Sequence, residues 1–277
     1  MGKAREPMIK AVFLDLDDTL LWDKKSIALA FKQTCLQAAI EKELDPNELE
    51  VCVREEARRL YQSYKTYPFT VNIGINPFEG LWGSFRDEEK GFKALREIAP
   101  VYQKAAWHEG LKKVGIDNEA FAQHLANVFP VERRKHPVVY DDTFSTLNAL
   151  KDKVHLVLLT NGSPDLQNTK LELTPELVPY FDHILISGSF GRGKPDVLMF
   201  EEALHRLELE PHEAIMVGDN LHTDIKGANA SGIPSVWLNR ENQANETSIH
   251  ATYMIESLEE LVRLEKVKHS LDKASRI

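Results

Sequence analysis

The sequence has little cysteine, no long apolar run and no excess of positive charge, and each lack removes a class of protein. Only Cys35 and Cys52 occur among 277 residues, in segments that read as helices and with no Cys-x-x-Cys or Cys/His cluster. Neither a disulfide framework nor a structural zinc site is expected. Residues 1–10 lack the apolar stretch of about 7 to 15 residues that marks a signal peptide, and nothing reaches the roughly 20 apolar residues of a membrane span. A cytoplasmic place is expected. The formal charge of -9 opposes general binding to nucleic acid or to membrane surfaces, since both are anionic and repel it at long range. No repeat recurs at a period of about 20 to 50 residues. What is there, 43% hydrophobic and 28% charged residues, is enough apolar matter for a large core in an ordinary globular chain. The length exceeds the usual reach of one core, so two modules are expected.

Residues Ile9 to Leu14 form a short, nearly continuous apolar run, which is how a strand covered on both faces of a parallel sheet reads. Val154 to Leu159, His183 to Ile186, Ala214 to Val217 and Ser235 to Leu238 look alike, with a weaker sixth run at Thr252 to Ile255. Helix-like stretches lie between them at Asp142 to Lys151, Asp165 to Leu173, Asp196 to Leu207 and Asp224 to Ala230, several opening on a residue suited to capping. Alternating strand and helix predict an α/β fold, a doubly wound, Rossmann-like parallel sheet. The rhythm breaks between the first strand and the second. A crossover needs only about a dozen residues, and this far longer interval carries helical spacing at Ser26 to Glu43, Pro46 to Lys65, Glu88 to Ile98, Val101 to Val114 and Glu119 to Phe129. Residues 22–137 are thus expected to form an inserted helical domain, with 1–21 and 138–277 forming the sheet core. Tyr67 to Asp87, rich in Gly, Pro and aromatics, reads as a long irregular stretch. Residues 266–277 read as a frayed tail.

The first strand runs into Asp15-Leu16-Asp17-Asp18-Thr19, three carboxylates at the carboxyl end of a buried strand, the edge where such sheets bind ligands. Clustered carboxylates repel one another, and a divalent cation such as magnesium, which prefers oxygen ligands, answers that charge. Taken alone, the turn also fits a simple helix cap. Three further segments follow later strands: Thr160-Asn161-Gly162, Gly193-Lys194-Pro195-Asp196 and Gly218-Asp219-Asn220-Leu221-His222-Thr223-Asp224. All are expected at one edge of one sheet, where they offer a hydroxyl, a cation and more carboxylates. Gly188 to Lys194 fits a phosphate-binding P-loop, but Pro195 stands where that motif needs a Ser or Thr.

With these four segments the sequence resembles the haloacid dehalogenase-like hydrolase superfamily, in its phosphatase branch with a helical cap of the first type. The resemblance implies Asp15 as a nucleophile that becomes transiently phosphorylated, and Asp17 as the acid/base. It implies Mg²⁺ held by Asp15, the Asp17 backbone carbonyl and Asp219, with Asp224 in an outer position or orienting Lys194. Lys194 and Thr160 would meet the phosphoryl group, Asn161 would reach substrate, and Asp18 and Thr19 would shape the loop. Asp17 favours phosphate ester cleavage over dehalogenation, which needs no proton for its leaving halide. A phosphotransferase or mutase would share the whole site, and an inactive regulatory protein on this fold is the reading from another class. The expected substrate is a small phosphorylated metabolite, because a helical cap should close over the site and exclude polymers. Trp82, Phe85, Trp107 and Phe121 read as cap core, and Arg86 and His222 as exposed.

Overall fold

The computed structural model describes residues 8–274; residues 1–7 and 275–277, the ends of the expected sheet core, lie outside them. The chain forms two compact units. The first takes residues up to Leu21, Val139–Thr160 and everything from Thr174 on, and the second takes Trp22–Val138 and Asn161–Leu173.

The first unit is built on six strands: β1 (Ala11–Leu14), β2 (His155–Thr160), β3 (His183–Ile186), β4 (Ala214–Gly218), β5 (Ser235–Leu238) and β6 (Tyr253–Ile255). Their order is β3-β2-β1-β4-β5-β6, and every neighbouring pair is parallel. All four side chains of β1 are fully buried, which is why that strand reads as an unbroken apolar run rather than an alternating one. The order also sets where a ligand can enter. From β1 the chain builds outward to β2 and β3 on one side and to β4, β5 and β6 on the other. The carboxyl ends of β1 and β4 therefore border the switch-point crevice of a doubly wound sheet.

From β1 the chain passes into the second unit through six helices: α1 (Asp23–Glu41), α2 (Pro46–Ser63), α3 (Tyr67–Ile73), α4 (Pro77–Gly80), α5 (Phe92–Lys113) and α6 (Glu119–Lys135). Their core is aromatic. Trp82, Phe85, Trp107 and Phe121 are all buried, and Phe31 lies 4.6 Å from Phe129 and 6.0 Å from Trp107 between ring centroids. Two expectations are corrected here. The two helical segments anticipated on either side of Ala99 are one helix, α5, which passes through Pro100. Proline there forgoes a single hydrogen bond, its ring is exposed, and the buried face formed by Leu95, Ala99, Tyr102 and Ala106 runs on without a break. The stretch from Tyr67 to Asp87 is not wholly irregular either. It holds α3 and α4, each with Pro in its first turn, and α4 begins with a capping box between Asn76 and Glu79. Helices this short leave no readable period.

The remaining helices are α7 (Thr143–Leu150), α8 (Pro164–Glu172), α9 (Leu198–Leu207), α10 (Lys226–Ala230) and α11 (Glu265–Ala274). Helix α8 was expected in the sheet core, yet it groups with the second unit. Leu166 joins the aromatic core there. Ser163 Oγ donates to Asp87 at 2.6 Å, the Asp165 backbone N–H donates to the same carboxylate at 2.6 Å, and buried Lys170 pairs with Glu79 at 2.8 Å. The frayed tail is also corrected as far as Ala274. Val267 and Leu271, four residues apart on α11, are buried, and Ser270 Oγ accepts a hydrogen bond from the Ile9 backbone N–H at 2.9 Å. Among the described residues no helix is long and apolar enough to cross a membrane.

Gly110 makes a close approach of helix backbone to helix backbone in the second unit. A Cβ on Gly110 of α5 would come within 2.4 Å of Val53 Cγ2 and 2.9 Å of Val53 Cα on α2. On an exposed helix, Gly→Ala gains about 1 kcal/mol. Gly110→Ala should instead destabilise the protein by about 1 to 3 kcal/mol, because the α2 backbone must retreat. Urea denaturation of the two proteins checks the sign.

Candidate active site

The site begins where β1 ends. The Asp15 backbone N–H donates to Val217 O at 3.0 Å, which ties the start of the turn to the end of β4. The chain then doubles back: the N–H groups of Leu20 and Leu21 both reach Leu16 O at 2.9 Å, and Asp18 N–H reaches Leu21 O at 2.6 Å. Asp18 takes a φ of 60°, an uncommon left-handed conformation for a residue with a Cβ. Asp15 is buried by this turn, while Asp17 and Asp18 are half-buried. Thr19 closes the loop from within. Its hydroxyl donates to Asp15 Oδ2 and accepts from the Asp219 backbone N–H, each at 3.2 Å.

Lys194 enters from the loop after β3. Its buried Nζ donates to Asp15 Oδ1 at 2.7 Å and to Leu159 O at 2.6 Å, and pairs with Asp224 Oδ1 at 2.7 Å. Asp224 lies in a π turn, Leu221–Ile225, that leads into α10. Its Oδ2 accepts from the Asn220 backbone N–H at 3.1 Å. A Cβ at Gly218 would fall 2.2 Å from that same oxygen, so the glycine is what lets the carboxylate sit against the strand end. Asp219 is held by its backbone, with the carbonyl accepting from Trp237 Nε1 at 2.9 Å.

One carboxylate oxygen from each of Asp15, Asp219 and Asp224 lies within 4.8 Å of the others. Three carboxylates thus face one ammonium, and the charge does not balance. The Asp15 carboxyl is raised to about 7: burial pushes it up, Lys194 pulls it down, and Asp224 and Asp17 push it up. Burial would lower the Lys194 pKa, but Asp15 and Asp224 more than offset that and raise it. The excess negative charge, carried on hard oxygen atoms only, fits a divalent cation of the magnesium or calcium kind.

Of the residues singled out in the sequence, Asp15, Thr19, Lys194, Asp219 and Asp224 are brought together by the bonds above. The Asp17 carboxylate is not one of the three clustered carboxylates. Thr160 is buried at the carboxyl end of β2, beside Leu159, whose carbonyl holds Lys194. Asn161 belongs to the second unit, where its side chain lies against Gly74. Arg86 and His222 are exposed. Sequence reasoning missed Trp237 and Arg240. Both lie at or just past the carboxyl end of β5, the edge that carries the other site residues, and that position was the available signal.

Comparison with known proteins gives the chain its family. The family model of the haloacid dehalogenase-like hydrolases matches residues 9–232. A phosphoserine phosphatase of Thermus thermophilus is 34% identical over 232 residues, covering 84% of this chain and 89% of the relative. The N-acylneuraminate-9-phosphatase of Homo sapiens is 31% identical over 268 residues, 95% of each chain. The solved structure of the HAD-hydrolase YfnB from Bacillus subtilis, bound to magnesium, superposes with a TM-score of 0.65 at 22% identity, covering 93% of this chain and 98% of that one. At that identity the likeness shows the fold. The chain belongs to the haloacid dehalogenase-like hydrolases, in the group with a helical cap inserted after the first strand and with phosphatase relatives over most of its length.

Proposed function

We propose that the protein is a magnesium-dependent phosphatase that hydrolyses a small phosphomonoester through an aspartyl-phosphate on Asp15. The observation that carries this reading is a buried Asp15 carboxylate, 2.7 Å from the Lys194 ammonium and clustered with oxygens of Asp219 and Asp224. Asp15, Asp219 and the Asp17 carbonyl would hold magnesium, with Asp224 at the outer side, and the ion would supply positive charge to the phosphoryl oxygens. The chain's own residues do the rest. An Asp15 oxygen attacks phosphorus, and the P–O bond to the alcohol breaks as Asp17 delivers a proton to the leaving oxygen. Water then attacks the same phosphorus, gives its proton to Asp17, and frees inorganic phosphate and the Asp15 carboxylate. Lys194 neutralises charge beside the nucleophile, the Thr160 hydroxyl donates to a phosphoryl oxygen, and Asn161 contacts the substrate. The related phosphatases named for phosphoserine and N-acylneuraminate 9-phosphate support a small polar phosphomonoester as the substrate class.

A panel of such esters with Mg²⁺, followed by phosphate release, tests the reading. Asp15→Asn should lose turnover altogether, and Asp17→Asn should fall about 10² to 10⁴-fold. Turnover that survives in Asp15→Asn contradicts the assignment.

The raised Asp15 pKa gives a second expectation. An unfolded Asp releases its proton near 3.8, whereas folded, metal-free Asp15 holds it to about 7. Ionisation between those values favours the unfolded chain, so the stability contributed at acid pH is lost as the pH rises from about 4 to about 7. In EDTA the melting temperature should fall across that window. Millimolar Mg²⁺ should remove the fall, and Asp219→Asn should blunt its effect.

A further inference from the structure

Arg240 stands two residues past the end of β5 and has no place in the chemistry above, yet it touches the turn that carries the nucleophile. Its guanidinium makes a two-pronged pair with Asp142, Nη1 to Oδ2 at 2.9 Å and Nη2 to Oδ1 at 2.8 Å, and Nη2 also donates to the Thr19 carbonyl at 3.1 Å. Its plane lies over the Tyr140 ring, 3.8 Å from the centroid. Asp142 is fixed in turn, because its Oδ2 also accepts from the Leu258 backbone N–H at 2.8 Å. Both charged side chains are shielded from water, 16% and 13% exposed, so the pair is not the screened surface kind that contributes little.

Thr19 links this anchor to the site. Its carbonyl faces Arg240, while its hydroxyl joins Asp15 Oδ2 to the Asp219 backbone N–H. The neighbouring carbonyl, Leu20 O, is held from the same side by Tyr140 N–H at 3.1 Å and Thr143 Oγ at 2.9 Å. The outer rim of the nucleophile turn is therefore clamped by residues 140–143 and Arg240, and its inner face sets the spacing of two carboxylates. We propose that Arg240, paired with Asp142, is a positioning residue that fixes Thr19 and through it the separation of Asp15 and Asp219. Only a planar guanidinium meets these acceptors while stacked on a ring; lysine offers a point charge on a flexible stem.

The inference rests on the reading that Asp15 and Asp219 hold magnesium, and its test has a readout besides turnover. Mg²⁺ binding to the full-length chain is measured by calorimetry for the wild type, Arg240→Ala and Arg240→Lys, alongside melting temperature and the kcat and KM for p-nitrophenyl phosphate. Outer partners of metal ligands are worth about 10- to 100-fold in metal affinity or activity. Both variants should lose Mg²⁺ affinity and kcat in that range with little change in KM, and Arg240→Lys should keep a melting temperature close to the wild type. A folded Arg240→Lys protein with wild-type Mg²⁺ affinity and kcat overturns the positioning role alone. A wild type that neither binds Mg²⁺ nor releases phosphate overturns the reading of Asp15 and Asp219, and the positioning role with it.

Discussion

One buried ammonium makes the site possible. Asp15 and Asp224 are both shielded from water, and carboxylates there are costly unless paired and hydrogen-bonded. Lys194 serves both at 2.7 Å and adds the Leu159 carbonyl at 2.6 Å. Even so, one positive charge does not cover three carboxylates, and the shortfall shows in the Asp15 carboxyl, pushed up to about 7 by burial and by its acidic neighbours. The imbalance suits a divalent ion bound by hard oxygen ligands. On the proposed reading, a divalent ion held there would let Asp15 ionise for its part as nucleophile, so the charge deficit of the metal-free site would prepare the loaded one.

The fold supplies the geometry that this charge arrangement needs. Because β1 and β4 are neighbours, the residues that follow them, Asp15 and Asp219, emerge side by side although they are far apart in sequence. Small local exceptions then finish the placement. Asp18 takes a left-handed backbone, Gly218 leaves room for the Asp224 carboxylate, and a π turn replaces the first turn of the helix that carries Asp224. Such departures from regular structure gather at functional sites, where the surrounding packing holds them.

Much of this was legible in the chain itself, for a physical reason. A strand buried on both faces must be apolar along its length, so β1, β4 and β5 stood out, while the sixth, whose Met254 is exposed, read only as a weaker run; residues just past strand ends stood out because polar groups there have no packing role. The Pro100 crossing in α5, the membership of α8 in the helical unit and the helix reaching Ala274 were not legible. Each depends on which core a face meets, and apolar spacing shows that a face is buried without showing against what. Arg240 escaped for a related reason. A single arginine after β5 looks like solvated surface until Asp142, Tyr140 and Thr19 are placed around it.

The central claim is covalent: the phosphoryl group passes through Asp15. The most direct measurement is peptide mass spectrometry of enzyme turning over p-nitrophenyl phosphate with Mg²⁺ and quenched in acid. A phosphoryl group on the peptide of β1 and its turn, assigned to Asp15, is the predicted result. Steady turnover with the phosphoryl group found on another residue, or with Asp15 unmodified in every quenched sample, would contradict the account.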